Sequence, residues 1–143
     1  MSWLRLYRYR VQVEEVVRME LAELDRAVQK VNEVRGQWQQ IADDNADRLV
    51  TEVRRGVHAG LAQGWVNEWD AIQATLTNVD RAVVSAMERR AKKQAELTEV
   101  VRDRKKIELV MKRAANRRQQ AQRRFDQRLL DDLAGRRWMR GAT

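Results

Sequence analysis

Apolar residues recur along this chain at the alternating three- and four-residue spacing of a helix that buries one stripe. In the first half, Val17, Leu21, Leu24, Val28 and Val31 step by four, three, four and three, and Trp38, Ala42 and Leu49 stay in register. Arg35 and Asn45 interrupt it. In the second half the pattern is longer. Trp65, Trp69, Ile72, Leu76, Val79, Val83 and Ala86 occupy consecutive core positions, and Leu97, Val100, Ile107, Met111, Ala114, Ala121 and Phe125 continue the register. A repeat of this period, sustained over so many turns, predicts a left-handed coiled coil.

Between the two patterns lie Gly56, Gly60 and Gly64. Each glycine costs a helix about 1 kcal/mol relative to alanine, so the cluster predicts a break. Glycines four apart can also make a smooth face for close helix packing, but Arg54, Arg55 and Gln63 beside them argue against a membrane setting. The expected fold is therefore all-α, a long antiparallel two-helix coiled-coil hairpin forming a single domain over 1–143. Helix one covers about 4–55, the tip about 56–64 and helix two about 65–134, with a frayed tail after it. At ~1.5 Å per residue the helices would run roughly 80 Å and 105 Å. Folding about residue 60 would set Trp38 near Val83 and end helix one near residue 117, so that the last ~20 residues project.

Composition supports long solvated helices. The 143 residues include no proline, against about 5% in average sequence. Charged residues make up 35%, against about 25% in ordinary domains. Within the second stripe, Arg90, Lys93, Arg104, Arg118 and Arg128 fall on core positions. Their stems can pack while their heads reach water, at a cost in stability and a gain in fixed register.

Catalytic chemistry finds no footing. There is no cysteine, which removes disulfides and thiolate metal sites. The lone histidine, His58, has no second histidine with which to share a metal or build a nucleophilic site. Gly56, Gly60 and Gly64 lack the Gly-Lys-Ser/Thr ending of a phosphate loop. Carboxylates such as Glu14, Glu15 and Glu23 read as solvated helix faces. A two-helix fold also lacks the concave, water-excluding site that catalysis needs. No metal, no cofactor and no catalytic residue is expected. The opening Met1-Ser2-Trp3-Leu4-Arg5 has no signal-peptide core, and no apolar run approaches the ~20 residues of a membrane span. The chain is expected to stay in the cytoplasm.

Two groups of residues are candidates for partner binding. Trp65 and Trp69 sit one turn apart beside the proposed tip. Both fit the heptad as core residues, and both suit an aromatic anchor for a partner. The second group follows from the uneven charge. Residues 1–64 hold ten Lys/Arg and ten Asp/Glu, so the whole net charge of +8 lies in residues 65–143. From Leu109 to Phe125 there are Lys112, Arg113, Arg117, Arg118, Arg123 and Arg124 and no acidic residue. Such a run suits a solvated helix end, an acidic protein surface, nucleic acid or anionic lipid. A basic nucleic-acid-binding coiled coil is the alternative function from a different class, and two features speak against it. A leucine-zipper DNA binder carries its basic region before the heptads, and a single-strand binder interleaves aromatics, of which only Phe125 is present.

The C-terminal half resembles the flagellar FliJ family. The resemblance rests on Val101-Arg102-Asp103-Arg104-Lys105-Lys106-Ile107-Glu108, on Lys112-Arg113, and on Asp126-Gln127-Arg128-Leu129-Leu130-Asp131-Asp132-Leu133-Ala134. The opening Tyr7-Arg8-Tyr9-Arg10 with Glu14-Glu15 is similar as well. Asp126, Arg128 and Asp132 depart mildly, standing where the family more often has Glu, Lys and Glu. The resemblance implies a soluble, non-enzymatic part of the bacterial flagellar type III protein export apparatus. It implies a central stalk in the hexameric export ATPase ring that promotes ring assembly. It also implies engagement of the membrane export gate and escort of substrate-specific export chaperones. The chain would lie in the cytoplasm, peripheral to the inner membrane through its partners. The corresponding stalk of a virulence-type secretion system is the nearest alternative.

Overall fold

The computed structural model describes residues 2–56 and 58–141. Two helices account for nearly all of them: α1, Trp3–Arg55, and α2, Ala59–Gly141. They pack against each other as a helical hairpin. Ser2 sits at the N-cap of α1, where its carbonyl accepts from the amide of Leu6 at 3.4 Å.

The turn is tighter than the glycine cluster suggests. Only Gly56 and His58, among the described residues of the expected tip, lie outside helix, and Val57 lies outside the described residues. Gly56 has φ +81°, a left-handed conformation that closes a helix C-terminus and that glycine adopts without a Cβ penalty. Its amide donates to the carbonyl of Val53 at 3.2 Å. The His58 carbonyl then accepts from Leu61 and Ala62 at 3.0 and 3.1 Å, starting α2. Gly60 and Gly64 are part of that helix. A Cβ at either would meet nothing within 4 Å, so they mark neither a break nor a close approach. Their propensity cost, about 1 kcal/mol each, is overridden by the packing of the turns that follow.

Two compact units make up the hairpin: Glu15–Thr98, and Met1–Glu14 with Glu99–Thr143. In the first, Ala42, Ile72 and Leu76 form a buried cluster against which Trp38 packs. Ion pairs span the helices here: Glu20 with Lys93, Asp25 with Arg90, Arg35 with Asp80 at 2.6 Å and Arg48 with Glu68 at 3.2 Å. In each pair the two residue numbers average between 56 and 58. The pairing is therefore centred on the turn at Gly56–His58 and not on residue 60, which sets Trp38 against Ile72 and Leu76 in place of Val83.

In the second unit, Tyr7 donates to Glu108 at 3.2 Å, Arg10 pairs with Asp103 at 3.5 Å, and Arg104 pairs with Glu14. Val100 and Ile107 are buried. The start of α1 lies beside Met111, Ala114, Ala115 and Arg118, where Trp3 and Leu4 help line an open groove of about 390 Å³. Beyond it no described residue of α1 covers α2. Every residue from 115 to 141 is exposed, including Ala121 and Phe125, which the periodicity had assigned to the core. The reason is simple: the stripe persists in sequence after the helix that would cover it has ended. Helix also continues past residue 134 to Gly141, through Gly135. One glycine costs only about 1 kcal/mol and good helix formers flank it. Ala142 and Thr143, the end of the expected frayed tail, lie outside the described residues.

Candidate functional site

The cations on core positions explain how a seam so rich in charge stays closed. Arg90, Lys93 and Arg104 each meet a carboxylate from α1, respectively Asp25, Glu20 and Glu14. Lys93 also reaches Glu96 at 2.9 Å, and Arg104 reaches Glu108 at 2.6 Å. The hydrogen bond to Glu20, then that to Glu96, raises the Lys93 ammonium above its ordinary value of 10.5. The bonds to Glu14 and then Glu108 likewise raise the Arg104 guanidinium. Glu14, expected on a solvated face, is only 7% exposed. Its neighbours in that reading, Glu15 and Glu23, are exposed. Glu14 differs because it stands opposite Arg104, and sequence periodicity alone does not say what stands opposite.

Trp65 and Trp69 lie in the first turns of α2, half-buried and one turn apart. The hairpin covers part of each ring and leaves the rest accessible, because two helices cannot enclose a tryptophan. Arg48–Glu68 pairs beside them across the helices.

The basic residues lie elsewhere on α2. Lys112, Arg113, Arg117, Arg118, Arg123 and Arg124 are all exposed. None of them has an acidic partner within ion-pair distance among the described residues. Arg118 lines the groove at the start of α1, and the other five stand clear of it. The uncovered stretch from 115 to 141 spans ~40 Å at the helical rise. Side-chain bonds one turn apart support it, such as Gln122 to Asp126 at 3.0 Å and Gln127 to Asp131 at 3.1 Å.

The same stretch carries large apolar groups. Leu129, Leu130, Leu133, Trp138 and Met139 are exposed together with Phe125. Their density within one short segment was the available signal. Cations and large apolar groups thus share one uncovered helix. No cluster of three or more His, Cys, Asp and Glu that could hold a metal occurs among the described residues. No described helix is long and apolar enough to cross a membrane.

The model of the family described as flagellar FliJ protein matches residues 5–143. The chain belongs to the FliJ family. FliJ is a non-catalytic component of the flagellar export apparatus. No curated protein and no solved structure matches the chain. The uncovered end of α2 and the two half-buried tryptophans are thus candidate contacts of an export-apparatus component.

Proposed function

We propose that this FliJ protein acts as the central stalk of the hexameric flagellar export ATPase ring. In this reading the uncovered end of α2 enters the ring and promotes its assembly. The chain also escorts substrate-specific chaperones and couples the ATPase to the membrane export gate. It works on the cytoplasmic side of the inner membrane, held there by its partners. The observation that carries the reading is the free basic helix, 115–141, continuing alone from a paired hairpin. A stalk needs a stiff element narrow enough to pass through a ring, and a single helix about 10 Å across meets that need. Arg117, Arg118, Arg123 and Arg124 on it suit an acidic lumen, where charge speeds encounter and fixes register more than it sets affinity. Trp65 and Trp69 offer a separate contact for the gate or a chaperone, since partly exposed aromatic rings make strong anchors.

The test mixes the purified protein with the export ATPase from the same source and follows hexamer formation and hydrolysis. Wild type should promote both, and less so at high salt, which screens exposed charge. Changing Arg117, Arg118, Arg123 and Arg124 together to Glu should abolish the effect while far-UV helicity persists. No effect of wild type on the ATPase at physiological salt would remove the stalk reading.

A further inference from the structure

We infer that the uncovered end of α2 lies directly on the surface of an anionic bilayer, with its cations among the lipid phosphates and a short apolar stripe dipping below the headgroups. This inference does not depend on the ring reading, and its test contains no ATPase. Where the ring reading also holds, one copy cannot keep this helix in a ring and on a bilayer at once, so the lipid-bound chain is one that has not entered a ring.

Residues 109–141 carry ten Lys/Arg against three Asp. A surface that covers this segment must therefore be anionic. The six cations from Lys112 to Arg124 are exposed, and at helical spacing they spread around much of the circumference. A partner helix meets one face of such a segment and leaves the cations of the other faces in water. A charged bilayer differs. Its potential falls off over a Debye length of ~8 Å at physiological salt, close to the ~10 Å diameter of the helix. Cations on the flanks are then attracted along with those that face the lipid.

Apolar side chains supply the second observation. Arg118, Gln122, Phe125, Leu129, Leu133 and Arg136 follow one another at spacings of four, three, four, four and three, which sets them on one face of the helix. Phe125, Leu129 and Leu133 are 59%, 47% and 48% exposed. The face thus has three large apolar groups between two arginines, over ~27 Å at the helical rise. Helices that lie in a membrane interface combine these features, and arginine stems can run along the apolar region while their heads reach phosphate. Asp131 stands on the opposite face, towards water, and Asp126 and Asp132 flank the stripe at its polar edges. Nucleic acid would engage the cations but offers nothing to the apolar stripe. No described helix is long and apolar enough to cross a membrane, so the segment lies along the surface. Few apolar groups are involved, so binding needs both attractions and should be reversible.

Sucrose-loaded vesicles of phosphatidylcholine alone, and of phosphatidylcholine with an equal part of phosphatidylglycerol, are sedimented with the full chain at physiological salt. Wild type should pellet with the anionic vesicles and stay in solution with the neutral ones. Phe125→Gln, Leu129→Gln and Leu133→Gln together keep every charge and should weaken binding at least about tenfold. All three side chains are exposed, so far-UV helicity should persist. Depth is read from an environment-sensitive dye, since the chain has no cysteine of its own. Attached through Gln122→Cys, on the stripe, the dye should report apolar surroundings when anionic vesicles are added. Attached through Gln127→Cys, about 140° further round the helix, it should stay in water. No binding to anionic vesicles overturns the inference. So does binding that the triple variant keeps in full, or binding in which the two dyes report the same surroundings. Either result means that the stripe does not enter the bilayer, and leaves it to an acidic protein partner.

Discussion

Arg104 shows what a single residue contributes to this hairpin. Its side chain is 21% exposed and that of Glu14 only 10%, and Glu108 completes the cluster. Arg35 and Asp80 form a pair of similar chemistry in which both side chains are 53% exposed. Solvent screening separates the two. Arg104→Ala takes the cation from between two carboxylates, one of them nearly dry, and should destabilise by roughly 3 kcal/mol. Arg35→Ala should cost less than about 1 kcal/mol. Thermal melting followed by circular dichroism checks the contrast, which depends on burial and not on charge. Asn45 is a different case. It is 5% exposed and its Nδ2 has no hydrogen-bond partner among the described residues. A buried polar group of this kind lowers stability and restricts register.

Lys93 adds a pH dependence whose sign is fixed. Its folded-state value is raised above 10.5 by its bonds to Glu20 and Glu96. The stabilisation is therefore complete below the unfolded value and is lost as pH rises through the higher, folded one. Melting temperature should show no contribution from Lys93 titration near neutral pH. Above 10.5 wild type should lose stability more steeply than Lys93→Met, and equal slopes would contradict the assignment.

At the scale of elements, the turn carries the sharpest prediction. Gly56 has φ +81°, whereas Gly60 and Gly64 are helical with open space where a Cβ would stand. Gly56→Ala should destabilise by about 1–2 kcal/mol, the cost of a left-handed conformation for an L-residue. Gly60→Ala and Gly64→Ala should each stabilise by up to about 1 kcal/mol through helix propensity. Three glycines that look alike in sequence thus separate by sign in a melting experiment. The sequence reading treated them as one break, because propensity registers composition and not which glycine takes the positive φ. That choice moved the turn towards Gly56, and with it the pairing register. The acid opposite each seam cation could be named only after the register was known, which is why Glu14 read as solvated.

For the whole molecule, the apolar stripes were legible because each helix must cover one face. The buried apolar residues named among those described, from Val17 and Ala42 to Val100 and Ile107, all stand on the positions that periodicity assigned. The stripe could not reveal where its partner stops, so Ala121 and Phe125 read as core although they lie past the start of α1. The candidate surface was legible in part. The basic run from Lys112 to Arg124 stood out through its missing acids, while Leu129 and Leu133 lie off the stripe, whose next core position after Phe125 is Arg128. Family membership and the free helix together support a stalk, and which end of the hairpin meets the ATPase is its central claim. The absence of cysteine makes that directly measurable. A photo-cross-linker attached through Arg124→Cys, on the free helix, is compared with one attached through His58→Cys, at the turn, after mixing each with the hexameric export ATPase. Cross-linking to ATPase subunits from position 124 and not from position 58 is the expected result. Cross-linking from the turn alone, or from neither site under conditions where the ring assembles, would contradict it.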